Sequence, residues 1–153
     1  MLQVHPKVIV EKVKSDLLIN KNELVEQTNE LVSWMIGCIL GRWDVRYATG
    51  KAEPLSSTNP FAQLPVCSPG MLQNMKGLPA TPNNIHADYP LRVSWLGIVV
   101  DDDGHAEDIV GRVREALHVI WKDNADVIEA EVCSLLGVDS LRDYFSNPNK
   151  FFD

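Results

Sequence analysis

No apolar run in this 153-residue chain is long enough to cross a membrane: the longest apolar-leaning stretch, Leu31 to Leu40, is about half of the roughly 20 residues a bilayer requires. It is read as a buried helix. Cysteine is scarce as well. Cys38, Cys67 and Cys133 are an odd number at wide spacing, with no Cys-x-x-Cys and no signal peptide ahead of them, which excludes a disulfide scaffold and predicts reduced thiols in a cytoplasmic protein. The four histidines, His5, His86, His105 and His118, stand at no zinc-ligand spacing from one another or from the cysteines. A Gly-x-Ser-x-Gly elbow is missing, no Cys-His pair can be nominated, and neither an internal repeat nor a low-complexity segment is present. The length fits one globular domain with a modest core and leaves little room for an enzyme with its own nucleotide-binding half.

What is there is charged unevenly. The net charge of −7 comes from 21 acidic and 14 basic side chains. Residues 1–50 carry six of each sign, residues 51–100 three basic and two acidic, and residues 101–153 five basic and thirteen acidic. Nucleic-acid affinity comes largely from Lys and Arg displacing counterions, so the last third is a poor phosphate surface. Any DNA contact falls to the first hundred residues.

Periodicity predicts a mainly α fold with a small β element (α+β) and a long ordered Pro-rich loop. Leu24, Leu31, Met35 and Ile39 recur at helical spacing, with Glu23, Glu26, Gln27 and Glu30 on the opposite face. An earlier helix or arm over 7–19 would turn Val8, Val10, Val13 and Leu17 inward. Gly37 and Gly41, four apart near the end of the long helix, predict close packing by another segment. The helix is expected to stop near Gly41 or Arg42, and Trp43 to Tyr47 alternates like an extended segment. Seven of the nine prolines fall between Lys51 and Pro90, which excludes a long helix or central strand, yet Phe61, Leu64, Val66, Met71, Leu72, Met75 and Leu78 are too apolar for a linker. Residues 91–100 are the best strand candidate, with 43–48 as the partner. Beyond them, Ile109, Val113, Leu117, Ile120 and Trp121 form a helical stripe with Asp103 as N-cap and Glu107 and Asp108 in the first turn. A second helix begins near Asp123, buries Ile128, Val132, Leu135 and Leu136 and ends at Gly137; a third, short one is capped by Asp139 or Ser140 and stopped by Asn147-Pro148. The chain divides into a helical part (1–42), a loop-rich part with short strands (43–100) and an acidic helical part (101–153), all within one accessory domain.

The fragments that look like catalytic motifs fail on physical detail. Gly50-Lys51 lacks both the earlier glycine of a phosphate loop, where Val45 stands, and the following hydroxyl, where Ala52 stands. Asp101-Asp102-Asp103-Gly104-His105 offers clustered carboxylates, and a metal-dependent enzyme using Asp101, Asp103 and His105 is one reading. Its glycine comes too early for a calcium loop and no bidentate Glu stands at the twelfth position, so the segment is read as a solvated turn and no metal site is assigned. Asn59-Pro60-Phe61 resembles the base-holding motif of amino-methyltransferases without its second proline, and no glycine-rich strand-turn-helix for S-adenosylmethionine is found. The densest polar and aromatic cluster is Gly41 to Gly50. Arg42 and Arg46 suit phosphate, and Trp43 and Tyr47 suit base stacking. The alternative pairs Asp44 with one arginine and packs Trp43 and Tyr47 in the core, where such rings are usually found.

The run Gly-Cys-Ile-Leu-Gly-Arg-Trp-Asp-Val-Arg-Tyr-Ala-Thr-Gly (37–50) and then Phe61 through Leu64-Pro65-Val66-Cys67-Ser68-Pro69-Gly70-Met71-Leu72 resemble a segment of large bacterial adenine-specific DNA methyltransferases, of the type found in BREX phage-defence and restriction-modification systems. Asp88-Tyr89-Pro90, Trp95-Leu96-Gly97-Ile98, Glu107-Asp108-Ile109, Ser140 to Phe145 and Phe151-Phe152-Asp153 follow in the same order, so that the resemblance covers residues 24–153. It implies a piece C-terminal to the S-adenosylmethionine-dependent catalytic domain, itself non-catalytic and without cofactor, which joins that domain to the specificity region. Arg42, Trp43, Arg46, Tyr47, Lys51 and Arg92 are the DNA-contact candidates. The implied partners are the parent's catalytic and specificity domains, DNA and other defence subunits, with no membrane. A different reading makes the chain a protein-interaction module whose acidic C-terminal helices dock a basic partner.

Overall fold

A computed structural model describes residues 21–51 and 67–146. The arm expected over 7–19, the stretch 52–66 and the Asn147-Pro148 stop lie outside the described residues.

Helix α1 (Lys21–Ile39) follows the apolar spacing, burying Leu31, Val32, Met35, Cys38 and Ile39 while Glu23, Glu26 and Glu30 stay exposed. It ends where Gly41 takes a φ of +83°, which a side chain resists. Gly41 N then donates to Cys38 O (3.1 Å) and Arg42 N to Gly37 O (2.8 Å), so that the last carbonyls of α1 are satisfied as the chain leaves it. Gly37 allows the next contact. A Cβ there would lie 2.3 Å from Cδ1 of Trp43, so only glycine lets the edge of the indole come up against the helix. The close packing expected of this glycine is present, with Trp43 as the segment that approaches.

A four-residue helix α2 (Arg46–Thr49) follows, and then, after an irregular path, α3 (Ile109–Trp121), a 3-10 turn (Lys122–Asn124), α4 (Ala125–Leu136) and α5 (Leu141–Phe145). Helices α1, α3 and α4 pack on one another, and α5 closes against α3 and α4. Their shared core takes Leu31, Met35 and Ile39 from α1, Val113, Leu117 and Ile120 from α3, Ile128 and Val132 from α4 and Leu141 from α5. Tyr144 is buried in the same core and donates its hydroxyl to Asn29 Oδ1 of α1 at 2.6 Å. Gly137 with φ +72° ends α4 and Ser140 caps α5 by accepting from Asp143 N (3.2 Å), as the sequence predicts.

The described residues are mostly helical and hold no sheet; Trp43 with Met71, Gln73 with Pro79 and Val100 with Asp108 make only single bridges. The strand expected over 91–100 and its pairing with 43–48 are therefore corrected. Leu91 and Val93 do point inward as their alternation suggests, but Ser94 N donates to Ile39 O (2.8 Å) at the end of α1, and Gly97 N turns back to Ser94 O (2.9 Å). Past that turn Leu96 and Ile98 are exposed, while Val99 packs against the core without a strand partner. On the other side, the Asp44 carboxylate accepts from Arg46 N (2.9 Å), a local turn bond that winds the chain into α2 instead of extending it.

The second correction concerns the start of α3. Asp108, not Asp103, is the N-cap, accepting from Gly111 N at 3.2 Å. Its carboxylate also accepts from Asp102 N (3.2 Å) and from both ends of the Arg142 guanidinium of α5 (2.8 and 2.7 Å). Arg142 reaches Asp101 as well (2.7 Å), and Ser146 Oγ donates to that same acid at 2.7 Å.

Two outcomes follow from this packing. Replacing Gly37 by Ala gains helix propensity of about 1 kcal/mol, but driving a methyl into Trp43 costs about 1–3 kcal/mol. Thermal denaturation is expected to show a lower Tm. For Asp108, the Arg142 guanidinium and the N–H groups of Gly111 and Asp102 hold the carboxyl at about 2, below its unfolded value near 4. A depressed carboxyl stabilises fully above the unfolded value, and this contribution is lost as pH falls through about 2. Asp108→Asn keeps a good cap but loses the charge. It is expected to cost about 2 kcal/mol at neutral pH, with its Tm converging on that of the unsubstituted protein as both are titrated towards pH 2.

Candidate functional site

The segment leaving α1 brings four of the six contact candidates together. Asp44 N donates to Gly70 O (2.9 Å) and Leu72 N to Arg42 O (3.1 Å), so the described loop beginning at Cys67 is stitched to the exit of the helix. Asp44 is buried, and its carboxylate takes three side-chain bonds from Arg46, Nε at 3.0 and 3.3 Å and NH2 at 2.7 Å. That carboxylate keeps the Arg46 guanidinium, 25% exposed, firmly charged. The same guanidinium lies 5.4 Å from the Tyr89 ring centre. The Tyr89 hydroxyl accepts from Val45 N (3.0 Å) and donates to Trp43 O (3.4 Å). Burial pushes its pKa well above the usual tyrosine value, so it stays a donor throughout the ordinary pH range.

Within this knot Trp43 is buried and Tyr47 half-buried, while Arg42 remains exposed with its guanidinium 5.0 Å over the Trp43 ring. Lys51 is exposed just beyond α2, held by its backbone N on Arg46 O (3.1 Å). Arg92 stands apart. It pairs with Glu107, which also accepts from Ser94 Oγ, and it donates to Ala106 O at 2.9 Å. These two donors lower the Glu107 carboxyl below the usual range, Ser94 contributing more than Arg92.

The acidic turn is committed elsewhere. Asp101 is held by Arg142 and Ser146, and His105 Nδ1 accepts from Glu107 N (2.9 Å). Among the described residues no three acidic, histidine or cysteine side chains converge where a metal would sit, and no helix is long and apolar enough to cross a membrane.

Beside α2 lies a cleft of about 210 Å³. Asp44, Arg46 and Tyr47 form one wall, and Met71, Asn74, Met75 and Asn84 are among the residues that complete it. Arg42, Trp43, Lys51 and Arg92 do not line it. The asparagines came from outside the sequence-level candidates. Their signal was turn chemistry, Asn74 ahead of Lys76-Gly77 and Asn84 closing Thr81-Pro82-Asn83, where Asn side chains tie down nearby amides.

Compared with known proteins, the chain matches no family model, no curated protein and no solved structure.

The Tyr89 hydroxyl generates a direct test of how this region is held. In Tyr89→Phe the Val45 N–H, on a residue with 0% exposure, loses its acceptor, a cost of about 2 kcal/mol. Urea denaturation is expected to show a lower midpoint with an unchanged slope.

Proposed function

We propose that this chain is a non-catalytic linking module of a DNA N6-adenine methyltransferase from a phage-defence or restriction-modification system, contacting DNA from the exit of α1. The resemblance over residues 24–153 supplies the parent class. The observation that carries the structural part is the division of labour among the candidates. Arg46 is neutralised by Asp44 and Arg92 by Glu107, whereas Arg42 and Lys51 are exposed and, among the described residues, are paired with no acid. Arg42 and Lys51 are thus the phosphate contacts, and Arg46 and Trp43 hold the surface that presents them. On this reading no step of methyl transfer is assigned to this chain. S-adenosylmethionine belongs to the catalytic domain of the parent.

A second reading has its own observation. Asp102, Asp103, Asp123, Asp126, Asp139 and Asp143 are all exposed, which gives the C-terminal helices a surface suited to a basic partner. Such a partner would be another defence subunit or a basic segment of the parent.

Fluorescence anisotropy of a labelled duplex with this chain tests the first reading. Arg42→Glu with Lys51→Glu is expected to weaken binding across all sequences and to lower the salt dependence by about one unit of slope per residue. Binding that these reversals leave unchanged overturns the contact assignment. Transfer of labelled methyl groups to DNA by this chain alone overturns the non-catalytic one.

A further inference from the structure

Of the large apolar side chains among the described residues, Met75 (90% exposed) and Leu96 (88%) stand furthest into water. Each sits on a turn attached to the exit of α1. Ser94 N, ahead of Leu96, donates to Ile39 O (2.8 Å), and Leu72 N, ahead of Met75, donates to Arg42 O (3.1 Å). Their charged surroundings differ. Leu96 leads within a few residues into Asp101-Asp102-Asp103, whereas no acid occurs between Gly70 and Ala87. Lys76, next to Met75, is exposed and, among the described residues, is paired with no acid. Asp44, in the wall of the cleft that Met75 borders, is buried and filled by Arg46, and Asp88 is paired with His86. The backbone of the Met75 turn is tied in place. Asn74 Oδ1 accepts from Lys76 N (2.8 Å) and Leu78 N (3.1 Å), Gly77 N donates to Asn74 O (3.1 Å) and Asn74 N to Leu78 O (2.8 Å). Residues 74–78 are thus held in one path while the thioether at their tip is left in water.

We propose that Met75 is a wedge that enters a base step of the duplex held by Arg42 and Lys51, with Lys76 on a neighbouring phosphate. A side chain that projects this far needs a partner that opens to receive it. Base steps do so for apolar side chains, methionine among them, and the duplex kinks as they part. The cations beside the tip and the lack of acids in its own segment suit a phosphate-lined partner, which the acidic turn after Leu96 would repel. The proposal rests on the DNA-contact reading and adds deformation of the duplex to it. Phosphate contacts carry no sequence information, but a wedge favours the pyrimidine–purine steps that unstack most easily. The exit of α1 thereby gains a sequence preference without touching a base edge.

Energy transfer between dyes at the two ends of a short duplex, read with the full chain bound, tests the wedge. A duplex with a central TA step is expected to bend by about 20–90°. It is expected to bind about tenfold more tightly than a stiff A-tract duplex of the same length. Met75→Ala, at an exposed position, is expected to leave the Tm unchanged while both the bend and the step preference are lost. Met75→Leu, which supplies another apolar wedge, retains both, and so does Leu96→Ala. Lys76→Gln is expected to lower the salt dependence by about one unit of slope with the bend intact. A duplex that stays straight, although Arg42→Glu with Lys51→Glu weakens its binding, overturns the wedge and leaves the contact reading standing. A Met75→Ala variant that bends DNA as the unsubstituted chain does, or a bend lost in Leu96→Ala, overturns the wedge in the same way. Absence of duplex binding overturns both readings, and Met75-dependent binding to vesicles of anionic lipid would then assign the exposed thioether to a lipid surface.

Discussion

The carboxylate of Asp108 is shared by three parts of the chain. It caps α3 through Gly111 N, fixes the acidic turn through Asp102 N and receives the Arg142 guanidinium from α5. With a side chain 5% exposed, such a charge is stable only while its hydrogen-bonding positions are filled. The start of α3, the path of 101–105 and the docking of α5 are therefore set together, and Asp101 with Ser146 extends the same tie to the end of α5. Of the many acids in this part of the chain, Asp108 is the one turned into the structure, while most of the others face water.

A second constraint governs the other end of the core. The close contact of Trp43 with Gly37 brings Asp44 inside, and a buried Asp44 draws Arg46 to it; Tyr89 then covers the pair and satisfies Val45. Each step removes a group from the surface that composition alone would have offered to a ligand. Among the described residues Arg42 and Lys51 remain outward with no acid paired to them.

The helices were legible in the sequence because their information is local. The stripe on α1, Gly137 after α4 and Ser140 before α5 depend on residues a few positions apart. The cap of α3 was misplaced because five acids stand between residues 101 and 108, and only the distant Arg142 decides that Asp108 turns inward. The strand over 91–100 failed for a related reason. Leu91 and Val93 alternate as a strand would, but the backbone bond that matters is Ser94 N to the end of α1, which no periodicity encodes. For the site, internal pairing was one of two readings open for Asp44, while the cleft beside α2 draws residues from 44–47 and from 71–86 together, and this is a property of the folded turns.

The thiols give the fold a reporter that the chain carries already. Cys38 in α1, Cys67 in the loop and Cys133 in α4 are all buried and unpaired. Burial, reinforced for Cys38 by the nearby Asp44 charge, keeps the Cys38 and Cys133 protons on, and a protonated thiol does not attack an alkylating agent. Alkylation at any of the three thus waits for its own neighbourhood to open. Three modification rates read one by one would rank the opening of the first helix, the loop stitched to it and the acidic helical end without any added label.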